Sequence, residues 1–235
     1  MTTKWLSAVF VAWIVIASSP HVHAGMVNVV GYDILNADVS GSGGWMHTYT
    51  GTITPLGGSL ANYSDGTGTM ADGVLAPLTS ANTQIFFTPS TSIVEITLYL
   101  DGYYTVDQMD FYGGDPTNGI PGALTGMDVT IGGSSASFLT SGFGATNIHT
   151  GHHVNDRLVL TGSGLDSLLT DKLILSNFTA DYFGLNQFSI GEIVLDGTSQ
   201  AASVVPEPSS LTLLAVGAAS LAGCGWRRRK RRSAV

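Results

Sequence analysis

The side chains able to do chemistry in this chain are carboxylates, phenols and a few imidazoles. Between Gly25 and Val205 stand 14 aspartates, the glutamates Glu95 and Glu192, and only Arg157 and Lys172 as bases, a formal charge of −14. A surface this acidic cannot displace counterions from phosphates, so nucleic acid is excluded as a partner. Glu95 and Glu192 fall in separate predicted strands, and nothing in the sequence pairs either with a second carboxylate as glycoside hydrolysis requires. No Gly-x-Ser-x-Gly elbow, His-Glu-x-x-His helix or phosphate-cradling glycine loop occurs. His149, His152 and His153, with Asp156 nearby, would share one face of a helix and could hold Zn or Cu there. Gly142, Gly144 and Gly151 make the segment a loop instead, where that spacing loses its meaning. The aromatic residues to test for stacking on a sugar ring are Trp45, Tyr103, Tyr104 and Tyr112, although core packing is the commoner fate of such side chains. The aspartates lie mostly beside glycine in turns, where hard oxygen ligands suit Ca²⁺, but no Asp-x-Asp-x-Asp-Gly loop is present.

Strands must position these groups. In Ile93–Leu100, Val94, Ile96, Leu98 and Leu100 alternate with Ile93, Glu95, Thr97 and Tyr99, the period of a half-buried strand. Similar runs are Val27–Leu35, His47–Ile53, Gln84–Thr88, Tyr104–Tyr112, Met127–Ile131, Ser137–Thr140, Arg157–Thr161, Lys172–Ser176 and Phe188–Asp196. Gly57-Gly58, Asp65-Gly66, Gly113-Gly114-Asp115 and Gly132-Gly133-Ser134 read as turns, and Asp101-Gly102 between two strong runs reads as a hairpin. Leu165–Thr170 is the one stretch suited to a helical turn. About ten short strands spaced this way predict an all-β fold, a single β-sandwich or jelly-roll domain over 25–197. Gly25–Val205 holds no cysteine, which excludes a disulfide scaffold and Cys-ligated zinc.

Both ends differ from the middle. Lys4, the apolar run Trp5–Ala17 and Val22-His23-Ala24 have the layout of a secretory signal peptide over 1–24. The expectation is Sec-dependent export and signal-peptidase cleavage between Ala24 and Gly25. At the other end Thr198–Val205 reads as a stalk, followed by Pro206-Glu207-Pro208 and then Ser209–Trp226, eighteen residues without a charge. As a helix these rise about 27 Å, roughly one hydrocarbon thickness. Arg227, Arg228, Arg229, Lys230, Arg231 and Arg232 then stay cytoplasmic, which makes 209–226 a weak, glycine- and alanine-rich anchor in the inner membrane.

The Pro-Glu-Pro triplet, apolar helix and terminal basic cluster, taken in that order, resemble the PEP-CTERM sorting signal of Gram-negative bacteria, over 206–235. The resemblance implies recognition near Pro206, Glu207 and Pro208 by an exosortase, an integral-membrane Cys-dependent protease or transpeptidase, after a transient membrane stage. It also implies association with exopolysaccharide and biofilm matrix. Two prolines hold Glu207 extended, as a protease substrate must be. Leu221-Ala222-Gly223-Cys224 matches a lipobox by letters but lies at the wrong end of the chain, so Cys224 reads as a small buried anchor residue.

Phe188–Gly197 resembles the closing strand of galactose-binding-like, discoidin-type jelly rolls, with Val106–Phe111 as an internal strand. That likeness implies carbohydrate binding and a structural Ca²⁺ joining the first and last strands, drawn from Asp33, Asp38, Glu192 and Asp196. The leading functional expectation is an exported, non-catalytic surface or extracellular-matrix protein. A carbohydrate-binding module is the alternative, and a secreted polysaccharide hydrolase is a distant third.

Overall fold

The computed structural model describes residues 23–38, 47–75, 84–89, 91–114, 119–121, 124–140 and 155–199. Most of the signal peptide, Trp45, the His149/His152/His153 loop, Pro206-Glu207-Pro208, the 209–226 anchor and the basic tail lie outside these residues. Eleven strands occur among them: β1 (His23–Val27), β2 (Val29–Asp38), β3 (Thr52–Gly57), β4 (Leu60–Gly66), β5 (Ile85–Phe87), β6 (Glu95–Gly113), β7 (Leu124–Ile131), β8 (Ser134–Leu139), β9 (Asn155–Val159), β10 (Thr170–Ala180) and β11 (Phe188–Ser199). Among the described residues helix is confined to a single 3-10 turn at Thr69–Ala71. Leu165–Thr170 makes only a turn, in which Leu168 N–H donates to Leu165 O, and Thr170 already opens β10.

The strands form two layers that share β6. Its first half pairs with β2 and β10, extending a sheet ordered β3-β4-β2-β6-β10-β7-β8. Its second half pairs with β11 on one edge and β9 on the other, while β1 and β5 add to the far edge of β11. Asp101-Gly102 is therefore no hairpin: β6 runs unbroken for 19 residues and changes sheets there. A turn would fold the two runs onto each other, but each finds its ladder partners in other strands. Val27–Leu35 divides for the same reason at Asn28, with β1 in the smaller sheet and β2 in the larger. β5 links the layers at the opposite end, pairing with both β11 and β2.

Period-2 alternation sends one set of side chains between the layers. Tyr32, Ile34, Ile96, Leu98, Val129, Leu173 and Leu175 of the larger sheet meet Met109, Phe111, Leu158, Ile193 and Leu195 of the smaller in one buried cluster. Each such side chain contributes about 1.5–3 kcal/mol of burial. Phe87 stacks on Phe188 with ring centres 4.8 Å apart and closes the β5 end. Val94, Ile96, Leu98 and Leu100 are all buried, as their alternation predicts. The Gly132-Gly133 turn joins β7 to β8 with both glycines at positive φ, the conformation of a two-residue hairpin.

Candidate functional site

The outer face of the larger sheet carries an open groove of about 500 Å³ lined by Val30, Gly31, Thr50, Asp65, Gly66, Thr67 and Tyr99. It exists because of what β2 omits. Gly31 stands directly across from Tyr99 in the β2–β6 ladder, so no side chain fills the space beside the phenol ring. The far wall is backbone packed on backbone. A Cβ on Gly66 would lie 2.3 Å from Gly51 N, and one on Gly68 would lie 2.0 Å from Thr48 O. Glycine at these positions lets 48–51 lie flat against 64–68, fixed by Thr50 N–H on Thr67 O at 2.9 Å. That explains why His47–Ile53 becomes a strand only from Thr52, with Tyr49 making a lone bridge to Gly68.

Polar groups in the groove are held in place. Tyr99 O–H donates to Asp33 Oδ2 at 2.7 Å, and Asp65 N–H donates to Asp33 Oδ1 at 2.9 Å. The second bond pins Asp65 at φ +59°, a left-handed conformation that Asp tolerates better than most residues, and leaves its exposed carboxylate at the rim. Tyr99 is 37% exposed. Its hydrogen bond to Asp33 pushes the phenol up to about 12, so it remains a donor at any physiological pH. Beneath the groove Tyr49 donates to Tyr32 O at 2.8 Å and packs edge-on against Tyr63 with ring centres 5.0 Å apart. Burial, then the Asp33 charge, pushes the Tyr49 phenol up to about 12. Tyr63 in turn meets His47 Nε2 at 2.5 Å, and burial lowers the imidazole below its ordinary value, keeping it neutral.

Part of the outer face of the smaller sheet is covered, around Asp110, Tyr112 and Glu192, while Val159 and Asp196 stay exposed. Asp110 forms a two-pronged pair with Arg157, through Nε and Nη2, each at 2.7 Å. Glu192 is 4% exposed and accepts Gly73 N–H at 3.1 Å from the segment following the 3-10 turn. Burial first, and the neighbouring Asp72 charge second, push its carboxyl up to about 7. At the start of β9 Asp156 is 5% exposed, and Oδ2 takes Leu124 N–H at 2.8 Å. Its Oδ1 accepts no hydrogen bond among the described residues, and burial raises this carboxyl to about 7. Both geometries suit a protonated acid.

The four acids expected to share a Ca²⁺ are not brought together. Asp33 belongs to the groove, Asp38 pairs with Phe86 at the end of β2, and Asp196 is bonded by Gln108 Nε2 on β6. Glu192 has Asp72 as its acidic neighbour. No group of three or more His, Cys, Asp or Glu suited to a metal ion occurs among the described residues. Of the aromatics expected to contact glycan, Tyr103 is exposed and Tyr104 is half-buried, its hydroxyl donating to Asp101 at 2.6 Å. Tyr112 is buried, 6% exposed, because its sheet face is covered, which removes it as a stacking platform. Two exposed aromatics escaped sequence reasoning. One is Tyr99, which reads only as an outward strand residue. The other is Phe183, 77% exposed at φ +49° in the tight Tyr182–Leu185 turn, where glycine or asparagine would be at ease.

Residues 204–230 match the PEP-CTERM protein-sorting motif. The chain therefore carries the signal that exosortases read, and with it an address outside the cytoplasm, at the surface or beyond. No curated protein sequence matches the chain. Similar solved structures include a truncated AlyQ with CBM32 and alginate lyase domains, at 13% identity and TM-score 0.42, covering 77% of this chain and 35% of that one. Another is the family 32 carbohydrate-binding module of NanJ from C. perfringens in complex with galactose, at 12% identity and TM-score 0.37, covering 69% of this chain and 98% of that one. A pectin-binding carbohydrate-binding module is similar at 15% identity and TM-score 0.32, covering 59% of this chain and 81% of that one. These likenesses are distant, and the sandwich architecture rests on the strand pairing itself. Among the described residues no helix is long and apolar enough to cross a membrane.

Proposed function

We propose that this is a non-catalytic surface or extracellular-matrix protein, exported through Sec, held briefly in the inner membrane and released by exosortase near Pro206-Glu207-Pro208. The observation that carries it is the sorting motif at 204–230, which begins five residues after the last strand ends at Ser199. The domain thus stands close to the bilayer while the motif is processed. Mass spectrometry of the surface-located protein tests this: the mature form should start at Gly25 and lack Arg227–Arg232. An intact basic tail on the surface form overturns the proposal.

A second reading, carbohydrate binding, is favoured by the open groove of a phenol and two carboxylates on the larger sheet. Exopolysaccharide is the natural partner for such a face on a matrix protein. Catalysis has less support. Glu95, at the start of β6, and Glu192, under the 3-10 segment on the other sheet, are in different places, so the two glutamates do not flank a common cleft.

A further inference from the structure

We propose that the groove beside Tyr99 binds a neutral, hydroxyl-rich glycan, with one sugar ring packed on the phenol and its hydroxyls donating to Asp65 and Asp33. The inference rests on the carbohydrate-binding reading and assigns it a site and a ligand class. A sugar presents an apolar C–H face and a rim of hydroxyls, so its complement is an aromatic plate edged by fixed acceptors. Tyr99 supplies the plate. Its ring is tethered through its own hydroxyl to Asp33, so little side-chain entropy remains to be lost on binding. Gly31, across from it, leaves the flank of the ring open, and Thr50, Asp65 and Thr67 close the opposite side.

The acceptors are anionic, which sets the class of ligand. A carboxylate takes hydroxyl protons in short, charge-assisted bonds, and it has about four lone-pair positions. Asp33 therefore keeps capacity after accepting from Tyr99 and Asp65 N–H, while the Asp65 carboxylate is exposed at the rim. A uronate would bring its own negative charge against both. Lys172, paired with Tyr99 in the β10 ladder, offsets this only in part, because Asp33 and Asp65 both act on the same phenol. Repulsion of this kind discriminates against the wrong ligand more effectively than added attraction selects the right one.

The test uses the full-length chain purified in detergent, with dextran, mannan and galactan as neutral polymers and polygalacturonate as the anionic one. Isothermal titration or affinity electrophoresis should show binding to at least one neutral polymer and weaker binding to polygalacturonate. Tyr99→Ala should weaken neutral binding about 10-fold or more, and Tyr99→Phe, which keeps the ring, by no more than about 3-fold. Asp65→Asn suits the same left-handed backbone, so the fold is preserved; it should weaken neutral binding and narrow the preference over polygalacturonate. Neutral binding that survives Tyr99→Ala and is lost in Phe183→Asn overturns the groove but leaves the carbohydrate-binding reading standing. Absence of binding to every polymer overturns both, and a preference for polygalacturonate overturns the ligand class.

Discussion

The two outer faces of the sandwich carry the same kinds of residue and treat them in opposite ways. On the larger sheet Asp33, Asp65, Asp101 and Asp128 are in reach of solvent and are served by hydroxyl and amide donors, with Asp38 buried at the end of β2. Tyr104 O–H, then Asn28, holds Asp101 below its ordinary value, and Ser137, then Asn177, does the same for Asp128. On the smaller sheet Asp110 and Glu192 are shut away, although Asp196 stays exposed, and Asp156 is buried on the core side of β9; burial raises Glu192 and Asp156 to about 7. Tyrosines follow suit: Tyr99 lines a groove, whereas Tyr112 lies under cover. A carboxylate that is satisfied and still wet is available to a ligand. One that is dry and needs its proton is part of the scaffold.

If that contrast holds, perturbing a buried acid or its partner should cost much more than perturbing an open one. The largest effect is expected from pH. Asp156 binds its proton in the folded chain up to about 7, against 3.8 in its ordinary state. Its stabilisation is therefore complete below about pH 4 and drains away as pH climbs to about 7, by up to roughly 4 kcal/mol. Urea unfolding at pH 5 and pH 8 should show the acid condition clearly more stable. Because Glu192 and the domain's net negative charge work in the same direction, Asp156→Asn is the control and should reduce the slope without abolishing it; an unchanged slope refutes the assignment.

Next comes Arg157→Ala, which strands the buried Asp110 carboxylate on the covered face. A loss of about 2–3 kcal/mol in urea unfolding is expected, since removing one partner of a buried pair leaves an uncompensated charge. A loss below about 0.5 kcal/mol would put the pair in the class of exposed ion pairs. A smaller effect attaches to calcium, for which Asp33, Asp38, Glu192 and Asp196 were the expected ligands and which they are too scattered to share. Millimolar Ca²⁺ should then raise Tm no more than Mg²⁺ does at matched ionic strength, and a larger Ca²⁺ shift that Glu192→Gln removes would restore the site. The smallest effect belongs to the open face: Tyr99→Phe should change stability by less than about 1 kcal/mol, the net value of one exposed hydrogen bond.

Local signals and long-range ones had different fates in the sequence. The alternation in 93–100 and the glycine pair at 132–133 depend on neighbours along the chain, and both emerge in the fold as written. Asp101-Gly102 has the letters of a hairpin, yet the strand continues because β11 and β9 compete successfully for its second half. Leu60–Gly66 hides as a strand because Asp65-Gly66 looks like a turn. Asp65 adopts its positive φ within the strand through its bond to Asp33, 32 residues away. The groove was illegible for the same reason. Gly31, Asp65 and Tyr99 are unremarkable individually and acquire meaning when β2, β4 and β6 lie side by side. Tyr112 was misread because alternation gives the direction of a side chain and not what covers it.

The position of the last strand has a mechanical consequence. β11 leads directly into the C-terminal stalk, so any load on a tethered chain enters the domain there. That strand is bonded along both edges, to β6 from Ile190 to Ser199 and to β1 from Leu195 to Ser199. Ladder bonds stand perpendicular to the strand, so a pull along it loads many of them together in shear. An edge strand pulled from its end would peel open one rung at a time. Cleavage after Ala24 would remove the two β1 pairs nearest the stalk, His23 with Ser199 and Ala24 with Thr198, and leave Gly25–Val27 to share the tension. A domain hung from its C-terminus would thus be gripped on both edges of the strand that takes the weight.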